Sequence, residues 1–452
     1  MKRLPHLWLA PTLLLLSLAS AAQTRFIVRP TLTGSITGIS SRHGLTVVGP
    51  LDKTSNRGIY VVTAPSTVDP NQVIADVSLD VECTDIERDA KMAVTESPSS
   101  LSQASVAILE GMPSPTAVSY YGKSVLGLYL DQPATAIINL PAEQTTFGIT
   151  GAGTVAIIDT GIDPNHVALQ GALVPGFDFV HNIAGSGSEM IDLDSTNRKI
   201  LQNADPNPAT KSQQLRVNQA SVAILEKQTG TATINTKTMP VAFGHGTMVA
   251  GIVHLIAPTA KIMPLKAFRG DGTAQLSDIL KAIYYASDHG AHVINMSFAL
   301  LAPSVEMQNA INYAHDRSVI MAASTGNMGA AVVANPAGMQ KVMGVASTSN
   351  SDTRSKFSSY GVGTFVAAPG EQVITLYPGQ NYAVASGTSF SAPMVAGAAA
   401  LTVQVNSAIE FSNSSRAISQ AKPVATLGNG RLDVYRAVQY AEQNYGTGTA
   451  GH

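Results

Sequence analysis

From Gly151 onward the chain alternates strand-length apolar runs with helical segments, and this alternation constrains the fold more than any other feature. The runs cover residues 154–158, 261–267, 292–298, 319–323 and 342–346. Each is apolar almost throughout rather than at every second position, as a strand must be when helices cover both faces of its sheet. Parallel strands need crossover connections, and residues 278–289 have the helical spacing to supply one. The expected fold class is α/β, a doubly wound, mostly parallel sheet flanked by helices. In such sheets the chemistry gathers beyond the carboxyl ends of the strands.

Charge and composition narrow what this domain would meet. The 452 residues carry 28 Lys+Arg against 30 Asp+Glu, so nucleic acid is not expected as a partner, because backbone binding needs a basic footprint. With 45% apolar and 13% charged residues the chain is not a disordered one. Its single cysteine, Cys83, excludes a disulfide framework and a cysteine-based metal site. At the start, Lys2 and Arg3 precede an apolar stretch over residues 7–18 and the small residues Ala19, Ser20 and Ala21. That pattern reads as a signal peptide over residues 1–21 and predicts a secreted, extracellular or periplasmic protein. No later uninterrupted apolar run reaches the roughly 18 residues of a membrane helix, so no membrane span is expected.

Residues 22–94 read as a small α+β module. Strands are expected at residues 26–28, 43–48 and 58–62, a helix over 71–81, and a closing strand over 81–89. Residues 95–140 read as a linker containing the activation region, with Pro98, Pro113 and Pro115 among serines and glycines. The domain proper is expected over 141–445, with a tail at 446–452. One octapeptide, Gln-Ala-Ser-Val-Ala-Ile-Leu-Glu, occurs at 103–110 and again at 219–226. It reads as a helix-forming cassette used twice, since two copies are too few for a solenoid.

Three motifs carry chemistry. Asp159 ends an apolar strand, where a carboxylate needs a hydrogen-bond partner. His245 opens an apolar helix between Gly244 and Gly246. Ser389 precedes Pro393, which reads as a first-turn proline and puts the serine at a helix N-terminus, where unpaired N–H groups favour negative charge. A serine needs a base, and the base needs a carboxylate to set its tautomer. The order Asp–His–Ser is that of subtilisin, whereas α/β-hydrolases run Ser–Asp–His and carry a G-x-S-x-G elbow that Ser391 spoils here.

Together these motifs resemble the subtilisin-like serine proteases, the subtilases, over about residues 148–441. The resemblance implies a seven-stranded parallel sheet and peptide-bond hydrolysis through an acyl-enzyme. It makes Asp159 the orienting carboxylate, His245 the general base and Ser389 the nucleophile. Asn327 would supply the oxyanion-hole amide beside the Ser389 N–H, and Ser324, Thr325, Gly326, Ser297, Phe298 and Ala299 would line the substrate. The implied partners are protein or peptide substrates and the chain's own propeptide, residues 22–94, acting as an intramolecular inhibitor. Three departures stand out: an insertion between Phe177 and Phe243, Met248 where a second histidine is common, and bulky Phe298-Ala299-Leu300 in place of a glycine-rich substrate strand. No cofactor is required for the chemistry. Structural calcium stays unassigned, because residues 192–197 offer oxygen ligands but read equally as a solvated acidic loop. Asp163, His166 and Asp178 read as structural. Two other classes fit less well: a binding protein on this fold with a silent or permanently inhibited site, and an esterase.

Overall fold

The computed structural model describes residues 23–51, 57–93, 116–206, 214–219, 222–226, 239–300 and 302–446. The expected signal, residues 95–115 of the expected linker and residues 447–452 of the expected tail lie outside them. The chain divides into two compact units, residues 1–89 and 90–452.

In the first unit four antiparallel strands run in the order Thr46–Pro50, Tyr60–Ala64, Thr24–Pro30, Cys83–Arg88. Helix Pro70–Ser78 starts with Asp69 accepting from the Asn71 N–H and with Pro70 in its first turn. It buries Val73 and Val77 against Phe26, Val28, Val62 and Ile86. The strand expected from residue 43 begins only at Thr46, because His43 caps a helix, Ile36–Arg42, that the sequence reading missed. Ser35 caps that helix at its other end and Ile39 anchors it in the core. Only Ile36 and Ile39 mark its core-facing side, too few for a helical period to show.

The second unit is built on an eight-stranded sheet. Its order is Ile183–Ala184, Phe177–Asp178, Lys261–Lys266, Thr154–Asp159, Val293–Met296, Ile320–Ser324, Met343–Thr348, Val366–Pro369. Seven of these strands are mutually parallel, and the two-residue edge strand Ile183–Ala184 is antiparallel. The earliest of the long strands, Thr154–Asp159, sits between partners from both later directions, so the winding reverses at its carboxyl end. Helices His245–Ile256 and Thr388–Val405 pack so closely that a Cβ on Gly397 would lie 2.6 Å from Ile256 Cβ. Helix Thr388–Val405 is long and apolar enough to cross a membrane by length and composition, and 94% of it is buried within the protein.

Two expectations are corrected. Residues 116–140 are structured rather than linker: a hairpin, Ala117–Tyr120 with Lys123–Leu126, leads into helices Gly127–Leu130 and Pro133–Ile137. Fully buried Tyr129 donates to the Gly251 carbonyl at 2.6 Å, and the Gln132 amide pairs with both backbone groups of Ile374 at 2.8 and 2.9 Å. The composition signal for a linker came from residues 97–115, outside the described residues. The described residues of the octapeptide copy at 219–226 are strand, not helix: Gln219 ends Gln214–Gln219, and Val222–Glu226 pairs antiparallel with Asn381–Ala385. An edge strand to pair with overrides weak local helix preference. The copy at 103–110 lies outside the described residues.

Glu143, on helix Leu140–Thr146, is fully enclosed, and burial pushes its carboxyl up to about 7 while the Ile149 backbone N–H pulls the other way. The folded protein therefore holds this proton more tightly than the unfolded chain, whose carboxyl has the ordinary value of 4.5. The contribution to stability is full below about 4.5 and is lost as pH climbs to about 7. Glu143→Gln should raise the thermal midpoint at pH 8, by roughly 2–4 °C per kcal/mol recovered, and give no gain at pH 4. Equal shifts at both pH values by circular dichroism would refute this.

Candidate active site

Asp159 is fixed where the winding reverses, its carbonyl accepting from the N–H groups of Ala267 and Phe268 at 3.0 and 3.1 Å. Its Oδ1 accepts from the Thr160 N–H at 2.7 Å and lies 2.7 Å from His245 Nδ1. His245, the first residue of its helix, is fully buried. Gly246 lets the two segments meet, since a Cβ there would lie 2.0 Å from the Gly161 carbonyl oxygen. With a carboxylate facing Nδ1, the imidazole proton sits on Nδ1 and Nε2 is the basic nitrogen.

Ser389 is the second residue of helix Thr388–Val405, and the ring of the next residue, Phe390, lies 5.6 Å from that of His245. Pro393 stands one turn deeper in the helix than expected. A proline there has no N–H to give the carbonyl four residues back, which is that of Ser389. The freed carbonyl accepts the Ser297 hydroxyl at 2.8 Å, and Asn295 Nδ2 donates to that hydroxyl at 2.9 Å. Ser389 Oγ in turn donates to the Ser297 carbonyl at 3.3 Å. Ser297, expected to line substrate, anchors the backbone of Ser389.

Asn327 Oδ1 accepts from the Thr388 N–H at 2.9 Å and the Thr388 hydroxyl at 2.8 Å. A backbone N–H can only donate, so the amide is oriented by chemistry, and Nδ2 faces the Gly387 turn just before Ser389. Three of the expected substrate residues hold the segment that leads into Asn327: the Thr325 hydroxyl donates to the Ser359 carbonyl at 3.0 Å, the Gly326 carbonyl accepts from the Ser359 N–H, and the Ser324 hydroxyl reaches the Phe298 carbonyl at 3.4 Å. Phe298 is 1% exposed and packs on Phe268 at 5.2 Å between centroids, while Ala299 is also buried.

The calcium candidate does not fit a metal. Asp192 is paired with Lys266 at 2.5 Å, and Asp194 caps helix Ser195–Gln202 by accepting from the Thr196 and Asn197 N–H groups. Among the described residues no group of three His, Cys, Asp or Glu side chains could hold a metal ion. Asp163 accepts from the Gly379 and Asn165 N–H groups, Asp178 pairs with His181, and His166 reaches the Asn381 carbonyl. The sequence reading passed over Lys266, buried and in register with Asp159, whose ammonium donates to the Thr160 and Phe268 carbonyls. A lysine closing an apolar strand was the available signal. It also passed over Glu189, which contacts the segments of both Asp159 and His245.

The sequence profile of the Subtilase family matches residues 151–448. The chain belongs to the subtilases. Among similar proteins are a thermophilic serine proteinase of Bacillus sp. (strain AK1), 32% identical over 66% of this chain and 64% of that protein, and thermitase of Thermoactinomyces vulgaris, 31% identical over 64% and 90%. The chain thus spans just under two thirds of the first of these relatives. Among solved structures, fervidolysin from Fervidobacterium pennivorans, described as a keratinolytic enzyme related to subtilisin, superposes over 93% of this chain and 61% of its own with a TM-score of 0.66 at 19% identity, a likeness of fold.

If Asn327 Nδ2 serves only the charged intermediate, as the resemblance to the family implies, Asn327→Ala should fold, with kcat lowered roughly 10²–10³-fold and KM little changed. Kinetics on a peptide substrate giving an unchanged kcat would remove Asn327 from the oxyanion hole.

Proposed function

We propose that this chain is a secreted serine endopeptidase made as a self-processing precursor. The observation that carries the reading is the 2.7 Å contact between His245 Nδ1 and Asp159, which leaves Nε2 basic beside the helix start that bears Ser389. In this mechanism Nε2 takes the Ser389 proton as Oγ attacks a peptide carbonyl, and Asp159 stabilises the imidazolium that forms. The Ser389 N–H and Asn327 Nδ2 receive the oxyanion. Nε2 then protonates the leaving amine, and water, activated by the same nitrogen, releases the acyl-enzyme.

An extended segment of the chain itself supports the precursor reading. Lys91–Ala93 pairs antiparallel with Thr273–Gln275, and the Leu276 N–H donates to the Ala90 carbonyl. Main-chain pairing of this kind is how a peptide adds to a strand edge. Phe268, on the same loop as Thr273, packs on Phe298 of the substrate wall. The segment that follows, with its prolines and serines, suits cleavage after residues 22–94 have folded.

Ser389→Ala should accumulate as a precursor that has lost its signal but keeps residues from about Ala22 onward, since no acyl-enzyme can form. The lost hydroxyl should cost only about 0.5–2 kcal/mol in stability. Cys83 provides the readout: burial pushes its thiol up to about 11, so it should label in denaturant, in the variant but not in mature wild-type protein. Purified Ser389→Ala maturing to the wild-type N-terminus without added protease would refute self-processing.

A further inference from the structure

Glu189 is fully buried and comes from the insertion between Phe177 and Phe243. Its Oε2 accepts from the Gly244 N–H at 2.8 Å and from the Thr160 hydroxyl at 3.3 Å, and its Oε1 accepts from the Thr247 hydroxyl. The two threonines cross-connect the catalytic segments. Thr160, next to Asp159, accepts from the Gly246 N–H of the histidine segment at 3.0 Å. Thr247, on the histidine helix, accepts from the Asp163 N–H of the aspartate segment at 2.8 Å. A hydroxyl has one proton and a free rotor. With its proton drawn to Glu189, each threonine is turned so that a lone pair meets the opposite segment.

We propose that Glu189 is a positioning residue for the triad, a carboxyl clamp that locks the Asp159 and His245 segments together through Thr160 and Thr247. The inference deepens the endopeptidase reading above and rests on it. Burial raises the Glu189 carboxyl to about 8, Asp163 adds to the rise, and the Thr247 and Gly244 hydrogen bonds and the Lys266 ammonium oppose it. The Gly244 N–H and both threonine hydroxyls donate to this carboxyl, so the arrangement is that of its ionised form, and its effect on the triad is one of geometry. Backbone shifts well below an ångström at Gly244 and Thr160 change the Asp159–His245 contact directly, and small misplacements of reacting groups can lower rates up to roughly 10²-fold.

The test compares wild type, Ser389→Ala, Glu189→Gln and Glu189→Ala, the variants matured in trans by tagged wild-type enzyme that is then removed. Competent sites are counted with a serine-acylating titrant, and kcat and KM are measured per titrated site on one peptide substrate. Glu189→Ala should lose about 10- to 100-fold in kcat with KM within about threefold, as expected when only transition-state geometry suffers. Glu189→Gln, which keeps the shape and one acceptor, should recover part of that loss. The downfield proton resonance of the His245 Nδ1–Asp159 hydrogen bond should broaden or shift in Glu189→Ala while unfolding stays cooperative. If neither Glu189 variant folds, Thr160→Ala, which keeps Glu189 and two of its donors, should show the same split. A kcat per titrated site within twofold of wild type in the folded variant, with activity lost only in proportion to sites, would overturn the clamp. Wild type that cleaves no peptide would bring down the endopeptidase reading itself.

Discussion

At Gly161 and Gly246 two backbone segments touch with no space for a side chain between them. One segment leaves the central strand through Asp159, and the other enters a helix through His245. Because they meet main chain to main chain, the carboxylate and imidazole they carry are set 2.7 Å apart by backbone geometry rather than by flexible side chains. The serine helix is tied in a comparable way. Pro393 removes one helical hydrogen bond, and the carbonyl it exposes is taken by Ser297 from the neighbouring strand end. What reads as a defect in the helix is the attachment point of the segment that bears Ser389.

The central sheet was legible because burial on both faces leaves an uninterrupted apolar run, and five of its strands begin and end within three residues of those runs. The short strands Phe177–Asp178 and Ile183–Ala184 at one side of the sheet carry two residues each and leave no such mark. Asp159, His245 and Ser389 stood out as polar residues where an apolar element starts or stops. The catalytic supports did not. Glu189 lies in an insertion without periodicity, and its role comes from contacts with residues 29, 55 and 58 positions away. The strand Val222–Glu226 was misread for a related reason: its partner, Asn381–Ala385, is remote in sequence, and short apolar octapeptides have no fixed preference of their own. The helix Ile36–Arg42 rests on a serine cap and one buried isoleucine.

Buried ionisable groups are unevenly placed. His254, enclosed beneath the Tyr120 ring, is held neutral by burial, which pushes it down to about 4. Its folded-state pKa lies below the ordinary 6.5, so its contribution is present above that value and is lost as pH falls toward 4. The carboxyl of Glu143 works in the opposite direction across much of the same interval. The buried ammonium of Lys266 is satisfied by Asp192 and by the Thr160 and Phe268 carbonyls.

The position of strand Thr154–Asp159 also governs how the domain can form. It is among the first long strands synthesised, yet its two neighbours begin at Lys261 and Val293. Neither flank can be paired until a long intervening chain has closed into a loop, and that entropy is lost before any contact compensates for it. Such topologies assemble slowly and leave unpaired edges open to other chains meanwhile. For this molecule the vulnerable interval lies between synthesis and closure of the sheet.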